Sequence, residues 1–175
     1  MFPKYFCCFS KNAQGKDARI FEQTSVADVV KQYPKKLIQY SDTQPFVPPI
    51  ASGQVVKVYD GDTFILAGYL PYNESPLYRF SVRLRGIDAP EIKGGSEEEK
   101  ELAILARTEL SNMIMNKTVV LTNVGTEKYG RILADVYVGG VHVNRHMLDT
   151  KHASPYDGGT KIGFCAFKKG GFEKI

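Results

Sequence analysis

The chain has 175 residues, which is enough for one domain with arms and too few for two full domains. Hydrophobic residues make up 43% and charged residues 24%, the usual balance of a soluble globular protein, which excludes wholesale disorder and fibrous repeats. No apolar run reaches the ~18 residues of a membrane span. The N-terminal residues lack the apolar region and cleavage site of a secretory signal, so we expect an intracellular protein.

The net charge of +4 is unevenly distributed, since residues 1–50 and 151–175 each carry +3 and residues 51–150 carry −2. Basic arms suit a polyanionic partner and an acidic middle could house a cation, although solvated tails are the simpler interpretation of the charge alone. The three cysteines, at positions 7, 8 and 165, show no CxxC spacing and fit a reducing compartment. Acylation of Cys7 and Cys8, with peripheral membrane contact, is an alternative that the sequence does not favour.

Residues 1–50 are interpreted as an N-terminal arm. In residues 24–40, apolar side chains recur near helical spacing, which predicts a short helix that Pro34 kinks or ends. Three prolines in residues 41–52 predict a linker. We expect the apolar side chains of this helix, including Leu37, to pack on the main domain. The alternative is that the lysines of the arm contact nucleic acid.

Residues 51–150 are predicted to form five short strands with a helix inserted between the third and the fourth. The helix, over about 97–115, follows a capping box that starts at Ser96. Gly139 and Gly140 predict a hairpin turn. This order favours an α+β fold, a small five-stranded β-barrel of the OB type. The strands are expected at residues 55–59, 63–67, 78–87, 118–124 and 132–138. Residues 151–175 are expected to form a basic, glycine-rich and largely irregular tail.

Two acidic motifs follow strands that should be neighbours in such a barrel. Asp60 and Asp62 flank a glycine in a predicted turn, and Asp88 and Glu91 follow the third strand. The two motifs could therefore meet in space, and a hard cation such as Ca²⁺ or Mg²⁺ would remove the repulsion between their carboxylates. An ordinary turn remains the alternative for each motif taken alone.

Basic residues occur on the same strands. Arg83 and Arg85 lie on one face of the third strand, and the apolar residues that alternate with them lie on the other face. Arg131 follows a glycine at the start of a later strand. A solvated or salt-bridged surface is the alternative for each residue alone.

Together these motifs resemble the staphylococcal nuclease family, over roughly residues 55–148. They are VYDGDT at residues 58–63, VRLRGIDAPE at residues 82–91 and KYGR at residues 128–131. The predicted helix also lies where the family places one. The connection at residues 68–77 is longer, and the family's last helix has no evident counterpart. Tyr156 falls only loosely near the tyrosines of the family's nucleotide pocket.

The resemblance implies a Ca²⁺-dependent endonuclease that cleaves DNA and/or RNA and leaves 3′-phosphate ends. It implies that Asp62, Asp88 and the backbone carbonyl of Ala89 bind the metal, with Asp60 as an outer carboxylate. The alternative is a catalytically silent OB-type module that binds nucleic acid or protein. We expect a monomer, although the sequence leaves the oligomeric state open.

The resemblance also implies catalytic roles for Arg83, Glu91 and Arg131. Glu91 matches the general base, and the two arginines match the pair that clamps the scissile phosphate. Phosphodiester cleavage needs these residue types, because guanidinium groups stabilise the charge that develops on the phosphoryl oxygens. Lys128, Tyr129 and Arg85 are assigned to substrate contacts. A binding module has no need of all these acids and arginines together, so the enzyme is favoured.

Overall fold

The structure is a computed structural model that describes residues 36–93 and 96–159. From Pro45 onward the described residues belong to one compact unit, and residues 36–44 belong to a separate one. Most of the helix predicted over residues 24–40 lies outside the described residues. Its described end has no α-helix before the short 3-10 helix Tyr40–Asp42. Leu37, in the smaller unit, is 78% exposed, and the packing of residues 24–40 on the main domain stays a prediction.

The larger unit contains eight strands and two helices in its described residues. In chain order they are β1 (Ser52–Asp60), β2 (Thr63–Gly68), β3 (Tyr78–Leu84), β4 (Ile87–Asp88), α1 (Glu97–Ile114), β5 (Thr118–Thr126), β6 (Ile132–Val138), β7 (Val141–His142), α2 (Val143–Asp149) and β8 (Ser154–Pro155). The strand expected over residues 78–87 is broken in two. Gly86 has a φ of +75°, a left-handed conformation that glycine adopts readily and that ends a regular strand.

Five of the strands close into a barrel. β1 pairs antiparallel with β2 and β5, β2 with β3, and β5 with β6, while the parallel pair β3–β6 closes the ring. Parallel pairing needs a long crossover, and the chain from β3 to β6 provides it. This crossover contains α1, which lies between the third and fourth barrel strands, and β5. The predicted α+β class and OB-type barrel are therefore confirmed.

Alternation along the strands fills the barrel, and α1 covers one side of it. Phe64, Leu66 and Val82 are fully buried, each contributing about 1.5–3 kcal/mol of hydrophobic free energy. Helix α1 begins at the N-cap Ser96, whose side chain accepts a hydrogen bond from the backbone N–H of Glu99. Its buried residues recur at helical spacing and form the face that packs in the core. They are Ala103, Ala106, Leu110 and Ile114.

The segment after α2 is more ordered than the sequence suggested. β8 pairs with β4, placing Pro155 opposite Ile87 and Ser154 opposite Asp88. The backbone N–H of Tyr156 also donates to the carbonyl of Gly86 at 3.0 Å. The expectation of an irregular tail is wrong for these residues, because such long-range pairing leaves no local pattern. Neither helix of the described residues is long and apolar enough to cross a membrane.

Candidate active site

A cavity of about 420 Å³ opens beside the turn that joins β1 and β2. Side chains from all three acidic and basic motifs line it, so the barrel brings these motifs together. The lining residues are Asp60, Asp62, Thr63, Arg83, Ala89, Glu91, Glu127, Lys128, Tyr129, Arg131 and Tyr156. Thr63 and Glu127 were not among the candidate residues from the sequence. Thr63 follows the acidic turn directly and Glu127 precedes the KYGR motif, so only proximity along the chain could have indicated them.

Sheet register explains how the first two motifs meet. Thr63 of β2 lies opposite Arg83 of β3, which brings the β1–β2 turn beside the arginine. Gly61 in this turn lies so close to α1 and to the segment after β4 that an added Cβ would be 2.7 Å from the Cβ of Ala106 and 2.8 Å from that of Ala89. A side chain there would push the turn away, so the close approach requires glycine.

Arg83 bridges the two acidic motifs. Its Nη1 lies 2.8 Å from Oδ2 of Asp62, and its Nη2 lies 2.6 Å from Oδ1 of Asp88. The side chains of Arg83 and Asp62 are only 11% and 5% exposed. Burial on its own would lower the pKa of Arg83, but the two carboxylates outweigh it and raise that pKa. The guanidinium group therefore stays charged.

Asp62 is the most enclosed acid of the site. Its Oδ1 accepts a hydrogen bond from the Thr63 hydroxyl at 2.8 Å, and its Oδ2 accepts one from the backbone N–H of Ala89 at 3.3 Å. Burial raises the pKa of Asp62, and this effect exceeds the opposing influence of Arg83 and of the two hydrogen bonds. Further positive charge beside Asp62 would favour its ionised form.

The second predicted phosphate-binding arginine lies in a more open position. Arg131 follows Gly130, whose φ is +77°, and its side chain is 29% exposed. Its Nε donates to the carboxylate of Glu127, and its Nη1 lies 3.5 Å from the hydroxyl oxygen of Thr63. Arg83 and Arg131 thus line the same cavity.

The remaining predicted residues of the cavity lie at its rim. Glu91 is exposed in the loop after β4. Tyr129 is 72% exposed, with Nζ of Lys128 at 4.9 Å and Cζ of Arg131 at 5.9 Å from its ring centroid. Tyr156 lines the cavity because the β4–β8 pairing carries the chain back to it, so the weak sequence signal at this tyrosine did point to the site.

Arg85 lies apart from this cavity. Its Nη2 donates to the backbone carbonyls of Asn123 and Leu133 at 2.7 and 3.2 Å. It lines a neighbouring cavity of about 460 Å³, which shares Arg83, Glu127, Lys128 and Tyr156 with the first. The structure therefore ties Arg85 to the barrel wall, whereas Lys128 and Tyr129 border the cavity that holds the acids.

The described acidic side chains of the site lie close to one another without forming a metal cage. No group of three His, Cys, Asp or Glu side chains in the described residues converges as a metal cage. Two carboxylates do converge, since one guanidinium group reaches both Asp62 and Asp88. The backbone carbonyl of the adjacent Ala89 would add a third oxygen. Oxygen ligands of this kind are the type that Ca²⁺ or Mg²⁺ takes, and in the structure Arg83 supplies the positive charge beside the two carboxylates.

A family model described as staphylococcal nuclease homologue matches residues 81–160 of this chain. That range contains Arg83, Asp88, Glu91 and Arg131, whereas the acidic turn of β1 and β2 precedes it. The match therefore covers two of the three motifs.

Curated proteins with similar sequences carry nuclease names. A probable endonuclease of Paracoccidioides lutzii is 34% identical over 103 residues, which are 49% of this chain and 30% of that protein. A probable staphylococcal-like nuclease of Oryza sativa subsp. japonica is 37% identical over 75 residues, 43% of this chain and 14% of that protein. An uncharacterized endonuclease of Escherichia coli is 33% identical over 108 residues, 60% of this chain and 61% of that protein. The chain thus spans less than a third of the length of the fungal and plant relatives.

Proposed function

Because the chain belongs to the staphylococcal nuclease family, we propose that it is an endonuclease that hydrolyses phosphodiester bonds of DNA and/or RNA. The observation that supports this proposal is a single cavity lined by two guanidinium groups and by acidic side chains. Arginines bind phosphoryl oxygens, and a carboxylate beside them is placed to accept a proton. Neither a structural turn nor a plain binding surface requires that combination.

Each residue has a distinct role in this proposal. Arg83 and Arg131 bind the scissile phosphate and stabilise the charge that develops on its oxygens. Glu91, exposed at the rim, accepts the proton of the attacking water. The 5′ oxygen is the leaving group, so the products carry 3′-phosphate ends. Lys128 and Tyr129 contact the nucleotides beside the cleaved bond.

The proposed cofactor is Ca²⁺, held by Asp62, Asp88 and the carbonyl of Ala89, with Asp60 close by. A divalent cation at this position supplies Lewis-acid stabilisation of phosphoryl oxygens. Both arginines form ion pairs in the structure. Arg83 pairs with Asp62 and Asp88, and Arg131 pairs with Glu127. Substrate binding therefore requires the arginines to exchange part of these contacts for phosphate oxygens.

Cleavage of single-stranded DNA and of RNA by the full chain tests the proposal. We expect activity with Ca²⁺, weak activity with Mg²⁺ and none in excess chelator. We also expect products that a polymerase extends only after a phosphatase removes the 3′-phosphate. Products that the polymerase extends without phosphatase would refute cleavage at the 5′ side of the phosphate. Full activity in excess chelator would refute the dependence on Ca²⁺.

A substitution of the proposed base gives the matching test at residue level. Glu91→Gln preserves shape and removes basicity, so we expect kcat to fall by about 10²–10⁴-fold. Glu101→Gln is the control, because Glu101 is an exposed acid of α1 that does not line the cavity. A chain that binds nucleic acid but cleaves none with either metal is instead the silent binding module.

A further inference from the structure

A further polar cavity, of about 320 Å³, lies between β1 and α1. Lys57 of β1 and Arg107 of α1 supply its charged lining, and Ser111 and Asn112 add hydroxyl and amide groups. Among the described residues no Asp or Glu lines this cavity. None of its residues lines the candidate active site, so it is a separate surface.

The charges around this cavity favour an anion. Glu109 is the single acidic residue in the second half of α1, and its carboxylate lies 2.7 Å from Nε2 of His146 on α2. Its charge is therefore engaged on another face of the helix. Two cations with neighbouring hydrogen-bond donors are the usual binding partners of a phosphate group.

An exposed aromatic ring continues this surface along β1. Nζ of Lys57 lies 4.3 Å from the ring centroid of Tyr59, and Tyr59 remains 45% exposed. The β1–β2 register shifts between Val58 and Asp60, so Tyr59 is an extra residue in β1. Such a bulge redirects a side chain, here toward solvent beside the lysine. A cation and an exposed ring together are the usual elements of single-strand binding.

The surface also leads to the candidate active site. Asp60 lines that cavity and lies three residues after Lys57 in the same strand, a distance of about 10 Å. A polymer with one phosphate at the active site can therefore place a flanking nucleotide against β1. A small mononucleotide would not reach it.

We propose that Lys57, Arg107 and Tyr59 form an accessory nucleic-acid subsite, in which the two cations bind a flanking phosphate and the tyrosine ring stacks on a neighbouring base. This inference rests on the proposed function in one respect, because it takes the polynucleotide to be the substrate. It concerns binding alone and assigns no step of the cleavage.

The first test measures binding of the full chain to a single-stranded oligonucleotide of about 12 nucleotides, within the ~4–16 that one OB fold spans. Fluorescence anisotropy in chelator, over a range of salt, gives the affinity and its salt slope. We expect the Lys57→Gln/Arg107→Gln variant to bind about tenfold more weakly. Its salt slope should flatten by about 0.7, because one phosphate is no longer neutralised and each neutralised phosphate contributes ~0.7 on a single strand.

The matched control removes the same charge elsewhere. Arg79→Gln/Arg145→Gln replaces two exposed arginines, one on β3 and one on α2, and should leave the slope unchanged. If both double variants flatten the slope equally, only net charge matters and the subsite is wrong. An unchanged affinity and slope in the Lys57/Arg107 variant also overturns it.

The second test separates stacking from charge. We expect Tyr59→Leu to weaken oligonucleotide binding about tenfold and to leave heparin, a polyanion without bases, unaffected. Tyr59→Phe keeps the ring and should bind like the wild type. Equal losses for heparin and oligonucleotide, or a loss in Tyr59→Phe as large as in Tyr59→Leu, would overturn the stacking role.

The accessory subsite and the proposed function can be refuted separately. If the chain cleaves nucleic acid but the Lys57/Arg107 variant binds normally, the accessory subsite alone is wrong. If the subsite variants lose binding but Glu91→Gln cleaves at the wild-type rate, the proposed catalytic role alone is wrong.

Discussion

The two arginines of the candidate site differ in how firmly the fold holds them. Arg83 is 11% exposed and bridges Asp62 and Asp88, so it is part of the barrel's packed end. Arg131 is 29% exposed and pairs with Glu127 at the loop that joins β5 and β6. We call the first group, Arg83 with its two acids, the inner arginine site, and the second pair the rim arginine site.

The difference separates two requirements of a phosphate-cleaving site. The inner arginine site is set by strand register and burial, so its geometry exists before substrate arrives. Such preorganisation is what makes a charge effective in a transition state. The rim arginine site is more exposed, so it depends less on packing of the barrel. The comparison implies that substitutions at the two sites separate effects on stability from effects on activity.

Arg83→Ala should have the largest effect. It removes one of the two proposed phosphate ligands, so we expect kcat to fall by about 10²–10³-fold. It also leaves two enclosed carboxylates without their shared cation, which should cost about 3 kcal/mol of unfolding free energy. Thermal melting and turnover should therefore fall together, with Tm lower by roughly 6–12 °C. A variant with lower activity and an unchanged Tm would show that the inner arginine site is not part of the fold's stability.

Arg131→Ala should lose activity without losing stability. We expect a similar fall in kcat, about 10²–10³-fold. The ion pair with Glu127 is partly exposed, so its loss should cost about 1 kcal/mol or less. Arg145→Ala, at an exposed ion pair on α2, is the control for the stability measurement and should keep normal turnover. A large drop in Tm for Arg131→Ala would erase the contrast between the two sites.

Gly61→Ala tests whether close packing of the acidic turn sets the inner arginine site. The new methyl group would meet Ala106 and Ala89 at under 3 Å, so the turn or α1 must move. We expect a loss of about 2 kcal/mol in the free energy of unfolding, measured by urea melts. We also expect weaker binding of the proposed Ca²⁺, measured by calorimetry. Gly140→Ala introduces a methyl group into open space at a φ of +83°, and is the control that carries backbone strain without a clash. Equal metal affinity in Gly61→Ala and the wild type would contradict this account.

Local features of the fold could be predicted from the sequence, whereas contacts between distant segments could not. Alternation and turn residues indicated the barrel strands, and the capping box indicated the start of α1, because these are local patterns. The ion pairs of Arg83 and the pairing of β8 with β4 could not be predicted, since they join residues from distant segments. The packing of residues 24–40 on the barrel stays a prediction, since most of these residues lie outside the described ranges.

Substitution of Thr63 tests whether the inner and rim arginine sites are separable at all. Its hydroxyl donates to Asp62 at 2.8 Å, while Nη1 of Arg131 lies 3.5 Å from the same oxygen. Thr63→Val keeps the shape and removes the donor to a buried carboxylate, which should cost about 1–2 kcal/mol of stability. The longer contact with Arg131 is weak, so turnover should fall only a few-fold. Thr63→Ser should restore both stability and turnover.

In a double-mutant cycle that combines Thr63→Val with Arg131→Ala, we expect a coupling free energy of about 0.5 kcal/mol or less. A coupling several times larger, or a loss of turnover as great as that of Arg131→Ala, would mean that one hydroxyl joins the two arginines into a single unit.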